Sequence, residues 1–104
     1  MGTATSSGYV TTDELDVYYE VHGGPIDRAH PPFVLLHGGA MTIETAFGDL
    51  LPRLSPLRPV VAIEMQGHGH TGDRKGPITL DQMAQDVSSV LTHLKIASAH
   101  FVGH

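Results

Sequence analysis

Cysteine is missing from this 104-residue chain, so neither a disulfide framework nor a thiolate metal centre is open to it. Basic residues are scarce: six Lys and Arg stand against eleven Asp and Glu, a formal charge of −5. The one adjacent basic pair, Arg74-Lys75, is too little for the positive stripe that nucleic acid requires, and nucleic acid is excluded as a partner. Long apolar runs are missing too. Phe33 to Leu36 and Val60 to Ile63 are the longest, far short of the ~20 residues that cross a bilayer, so no membrane partner is expected. Residues 1–7 have no positive region leading into an apolar core; they read as a flexible tail and not as a signal peptide. A cytoplasmic protein is the default expectation.

What is present is patterned. Hydrophobic residues make up 40% of the chain, enough for a core. Leu15-Asp16-Val17-Tyr18-Tyr19-Glu20-Val21-His22 is rich in β-branched and aromatic residues and roughly alternates, ending at the turn signal Gly23-Gly24-Pro25. With residues 8–12 before it and Thr12-Asp13-Glu14 as the bend, it predicts an antiparallel hairpin at a sheet edge. Residues 23–32 read as a surface loop. Phe33-Val34-Leu35-Leu36 and Val60-Val61-Ala62-Ile63 have no polar alternation, the pattern of parallel strands buried on both faces. Phe101-Val102 is a third, shorter example.

Two helical patterns separate these strands. Phe47, Leu50, Leu51 and Leu54 form an i, i+3, i+4, i+7 stripe. Pro52 lacks an N–H and clashes one turn back, so a short or kinked helix is expected there. The second stripe is Leu80, Met83, Ala84, Val87, Val90, Leu91 and Leu94. It opens with Thr79 as N-cap, Gln82 in capping-box position, and Ile78 with Met83 as a hydrophobic staple. Asp81 near its start and Lys95 near its end suit the helix dipole. The order hairpin, strand, helix, strand, helix, strand predicts an α/β fold with parallel strands and helical crossovers. Such sheets bind ligands beyond the carboxyl ends of their strands.

Those ends carry the glycine signals. His37-Gly38-Gly39-Ala40 follows the first buried strand. A glycine loop suits a backbone N–H aimed at a developing oxyanion, with Gly39, or alternatively Ala40, as one donor; taken alone, it reads as a tight turn. Gln66-Gly67-His68-Gly69-His70 follows the second strand. His68-x-His70 without a third ligand reads as a structural loop and not as a metal site, so no metal is expected. Glu64 reads as a hydrogen-bonded loop carboxylate more readily than as a general base. The eight histidines have no sequence partner that makes any of them a catalytic base. Gly103-His104 has the form of the first two residues of a G-x-S-x-G elbow, in which a nucleophile sits on a strained strand-to-helix turn.

Taken together and in this order, Val17-Tyr18-Tyr19-Glu20-Val21-His22-Gly23, Leu35-Leu36-His37-Gly38-Gly39, Glu64-Met65-Gln66-Gly67-His68-Gly69-His70-Thr71 and Phe101-Val102-Gly103-His104 resemble the α/β-hydrolase superfamily over nearly the whole chain. The family's second loop is usually D-x-R-G-x-G-x-S; here Glu64 stands for the acid, Gln66 for the arginine and Thr71 for the serine. The resemblance implies the amino-terminal part of the family's sheet, with residues 8–104 a partial core domain. It implies a nucleophile at position 105, a later His base and a later acid, so no catalytic residue falls within the chain. Gly38, Gly39, Ala40 and His104 would supply the oxyanion loop and the approach to the elbow.

The implied substrate is a small molecule with an acyl group (an ester or a lactone), the implied partner is the remainder of the same polypeptide, and no cofactor is called for. Ala40 departs from the H-G-x-P of epoxide and haloalkane hydrolases, from the H-G-G-P-G of proline iminopeptidases, and from the longer H-G-G-G of hormone-sensitive-lipase relatives. Esterases, lactonases and C–C bond hydrolases with a serine nucleophile remain. The alternatives are a non-catalytic binding protein of this fold and an epoxide hydrolase. In the family's sheet the strand at 100–102 lies inside; made without further strands, the chain is expected to expose an apolar edge and to aggregate or dimerise through it.

Overall fold

A computed structural model describes residues 6–26 and 31–103. His30, His104 and residues 1–5 of the expected tail lie outside the described residues. Strands β1 (Ser6–Thr12) and β2 (Leu15–His22) form the predicted hairpin. Asp13 and Glu14 both adopt positive φ, 45° and 66°, the primed turn whose twist matches its flanking strands. The strand starts two residues earlier than the sequence pattern indicated: Ser6 and Ser7 pair with Val21 and Glu20, because β2 is long enough to offer them ladder partners.

Beyond the hairpin come β3 (Phe33–Leu36), the short helices α1 (Ile43–Phe47) and α2 (Leu51–Leu54), β4 (Val60–Ile63), α3 (Leu80–His93) and β5 (His100–Gly103). Pro52 acts as foreseen: it sits in the first turn of α2, where its missing N–H costs nothing, and the stripe is divided between two short helices. The sheet order is β1-β2-β4-β3-β5, with β2 antiparallel to β4 and with β4, β3 and β5 mutually parallel.

Alternate side chains of the buried strands serve opposite layers. Val17, Tyr19, Val21, Val34, Val61 and Ile63 meet Val87 and Val90 of α3 on one face. Leu35, Val60 and Ala62 meet Ile43, Phe47 and Leu51 on the other. Both faces of β3 and β4 are therefore covered, which is why they lack polar alternation; β5, expected to be buried in the same way, is largely exposed, with Phe101 in contact with solvent. No helix among the described residues is long and apolar enough to cross a membrane.

Helix α3 corrects three sequence details. The Thr79 hydroxyl accepts from Gln82 N–H at 3.1 Å as expected, but the Gln82 amide reaches forward to Asp86 at 3.1 Å and does not close the capping box. Donating its N–H to the ionised, buried Asp86 carboxylate is the stronger bond, and it turns the Gln82 amide away from the Thr79 N–H it would otherwise accept from. Leu80 and Ala84, counted in the apolar stripe, are exposed, Leu80 at 82%, and Ile78, the outer half of the expected staple, is half exposed. The helix ends with Lys95 at φ 59°, where Ile96 N–H reaches Leu91 O and Lys95 N–H reaches Thr92 O. That double bond pattern normally favours glycine at the left-handed position.

Candidate active-site rim

Register brings the three glycine signals together. Leu36 pairs with Ile63 on one side and with Gly103 on the other, so the loops after β3 and β4 and the end of β5 share one rim. The chain leaves β3 for β4 on one flank and later reaches β5 on the opposite flank. The loop after β3 therefore stands at the point where strand order reverses, the usual crevice of open α/β sheets.

Two histidines join the rim's loops. His37 is buried; its Nε2 accepts the Met65 N–H at 2.9 Å and its Nδ1 lies 2.7 Å from Gly38 O. An N–H can only donate, so the proton of His37 sits on Nδ1 and is given to Gly38 O. His68 repeats the arrangement in reverse. Its Nε2 accepts Ala40 N–H at 3.0 Å, its Nδ1–H donates to Gln66 O at 2.9 Å, and the two rings lie 4.8 Å apart. Each loop thus lends a neutral imidazole to the backbone of the other.

Glu64 anchors the second loop. Its buried carboxylate accepts Ile43 N–H at 3.0 Å, His70 N–H at 2.7 Å and His70 Nδ1–H at 2.9 Å. Burial pushes its pKa up, yet the bonds from His70 and Ile43 outweigh that and hold it below the ordinary carboxylate value. It is the bonded loop carboxylate the sequence favoured. Gly69, at φ 53°, is required here: a Cβ on it would collide with that carboxylate. Thr71 accepts from Tyr18 N–H at 2.9 Å and donates to Glu64 O at 2.7 Å, tying the loop to β2. Tyr18 stacks on His70 at 4.3 Å; burial and then the Glu20 carboxylate raise its hydroxyl to about 12, so it stays a donor.

Below the loop, Arg74 uses all five of its donors. They reach Asp86 Oδ1 and Oδ2 (3.0 and 3.1 Å), Gln66 Oε1 (2.7 Å), Thr12 O (3.0 Å) and Asp13 O (3.0 Å). The Asp86 bonds, foremost, raise its pKa. One guanidinium therefore fastens the hairpin turn, the β4 loop and α3 to each other. Among the described residues no buried side-chain nitrogen or oxygen lacks a partner.

Of the residues singled out from sequence, Gly38, Gly39 and Ala40 lie on the rim, and His104 is outside the described residues. Ala40 sits at φ 59°, a left-handed conformation that costs an L-residue about 1–2 kcal/mol, and its N–H is engaged by His68. Gly39 is exposed, a Cβ there would meet nothing within 4 Å, and its N–H has no acceptor among the described residues. Sequence reasoning passed over His37 and His68 as connectors, and Arg74 and Asp86 altogether. Asp86 offered one signal, a carboxylate one position from Val87 on an otherwise apolar helix face.

Comparison with known proteins agrees with this geometry. The model of the alpha/beta hydrolase fold family matches residues 31–104. A Caulobacter segnis protein named as a candidate carbamate hydrolase, RutD, is 35% identical over 98 residues, which cover 91% of this chain and 36% of that protein. A bifunctional esterase/perhydrolase of Acinetobacter calcoaceticus is 33% identical over 98 residues, 93% of this chain and 34% of that one. The enol-lactonase structure from Burkholderia xenovorans superposes with a TM-score of 0.80 at 29% identity, over 91% of this chain and 36% of the enzyme. The chain spans about a third of the length of each. A mixed five-stranded sheet with its hairpin, its helices on both faces and its glycine loops at one rim, matched by these hydrolases, places the chain in the α/β-hydrolase family.

Proposed function

We propose that this chain is the amino-terminal part of a hydrolase acting on small acyl substrates, esters or lactones in the first place. In this reading a serine following His104 attacks the carbonyl carbon, and the Gly39 N–H, with a second donor after the nucleophile, takes the charge on the tetrahedral oxygen. The base and the orienting acid come from the remainder of the polypeptide. The observation that carries the reading is the exposed Gly39, whose N–H meets no acceptor among the described residues, in the loop that leaves β3 where Leu36 pairs with Gly103 at the end of β5. The relatives lend support: carbamates, esters and lactones share an acyl carbon that passes through the same oxyanion.

The test is hydrolysis of p-nitrophenyl acetate and butyrate and of a small lactone by the complete protein. Turnover with an initial burst, lost when the residue after His104 is replaced by alanine, is expected. Absence of burst and turnover with every substrate would favour the rival reading, a binding protein of the same fold.

A further inference from the structure

Sequence left two donors open in the loop after β3, the N–H groups of Gly39 and Ala40. The structure treats them differently. Ala40 is held left-handed without being glycine, and its N–H is bonded to His68 Nε2 at 3.0 Å. His68 belongs to the loop after β4, 28 residues further on, and is itself held at two other points: Nδ1–H on Gln66 O at 2.9 Å and the ring against His37 at 4.8 Å. His37 in turn grips Met65 N–H at 2.9 Å and Gly38 O at 2.7 Å.

A left-handed alanine persists only where its surroundings over-determine it, and here the acceptor that does so is an imidazole from the neighbouring loop. We propose that His68 is a positioning residue. By occupying the Ala40 N–H and keeping that turn left-handed, it leaves the Gly39 N–H as the donor this loop presents to substrate. His68 touches neither substrate nor nucleophile in this scheme; it acts through the backbone. The inference rests on the acyl-hydrolase reading above, and the experiment separates the two.

In the complete protein, His68→Phe keeps a ring but removes the acceptor, while His68→Gln offers a carbonyl in its place. For p-nitrophenyl butyrate, His68→Phe is expected to lower kcat by about 10- to 100-fold, less than deleting an oxyanion donor outright, with KM within about twofold. His68→Gln is expected to recover most of the loss. A bare packing role would not split kcat from KM, nor be rescued by a hydrogen-bond acceptor. Wild-type kcat in His68→Phe, or no recovery in His68→Gln, overturns the proposal. Should the wild-type protein hydrolyse no ester, the acyl-hydrolase reading falls and nitrogen-15 NMR decides on the clamp alone. A coupling across the hydrogen bond between the Ala40 amide nitrogen and His68 Nε2, absent in His68→Phe, upholds it; no such coupling in the wild type overturns it.

Discussion

On the β4 flank of β3, polar groups are buried and each one is answered; on the β5 flank, apolar groups are in contact with solvent. His37, Glu64, Gln66, Thr71 and Asp86 are all buried within the first region, joined by hydrogen bonds that run from the hairpin turn to α3. In the second, β5 pairs only with β3 among the described residues, Phe101 is 56% exposed, and an apolar hollow of about 410 Å³ lies between α3 and the sheet, lined by Leu36, Met65, Met83, Val87, Leu91 and Phe101. The contrast teaches that the two flanks of the rim are held by different forces. Directional bonds fix the loops locally, because donors and acceptors 28 residues apart already meet. Apolar packing is additive in area and stays incomplete until more surface arrives.

The sharpest way to break the contrast is to make the polar flank unsatisfied. Arg74→Leu leaves the Asp86 carboxylate, which is 1% exposed, without its counter-charge and with the Gln82 amide as its remaining donor, and removes donors from Gln66 and from two turn carbonyls. Losing one partner of a buried ion pair costs about 3–5 kcal/mol, measurable by urea denaturation of the complete protein. Asp86→Leu in addition should recover only part of that loss, since Gln66, Thr12 and Asp13 still lack their donor. A double variant as stable as the wild type would show that the arginine serves Asp86 alone.

Glu64 tests the same flank more gently. Glu64→Gln leaves one carbonyl oxygen to serve three donors, and an amide N–H₂ then faces a backbone N–H; about 1–3 kcal/mol is expected. The sign with pH follows from its lowered pKa. A group whose pKa falls on folding stabilises the fold above its ordinary value, 4.5, and loses that contribution as pH drops through the folded value. The gap between wild type and Glu64→Gln should therefore be constant near neutral pH and close in acid below about 4.5, as read from denaturation midpoints. A gap that widens in acid would mean that the carboxyl is protonated in the native state.

The apolar skeleton of this molecule was readable in advance because buried parallel strands and a capped amphipathic helix each leave a periodic trace: Val60 to Ile63, Val87 and Val90 behave as their pattern demands. The glycine positions could be read for a similar reason, since Gly69 at positive φ against a carboxylate admits no side chain. The bracing could not. Nothing in the spacing of His37 and His68 records which nitrogen bears a proton or which backbone N–H it meets, because those partners are set by register between strands. Arg74 looked like half of a lone basic pair; its five bonds exist only once the hairpin turn, the loop and α3 converge. Leu80 was misplaced for the opposite reason: periodicity gives a helix its apolar face but not how much of that face its neighbours cover.

The bare flank can be sharpened with almost no effect on folding. Phe101 is more than half exposed, so Phe101→Lys removes little buried area and should shift the stability of the 104-residue chain by less than about 0.5 kcal/mol. Its effect belongs to association. On the side away from β3, β5 has no ladder partner among the described residues, and a strand edge with exposed aromatic surface is a template for a second copy. The wild-type 104-residue chain should sediment as dimers or larger species, and a lysine at the edge should shift it toward monomer, because docking would then bury an ammonium group. A monomeric wild-type chain with one cooperative melt would refute association through the β5 edge.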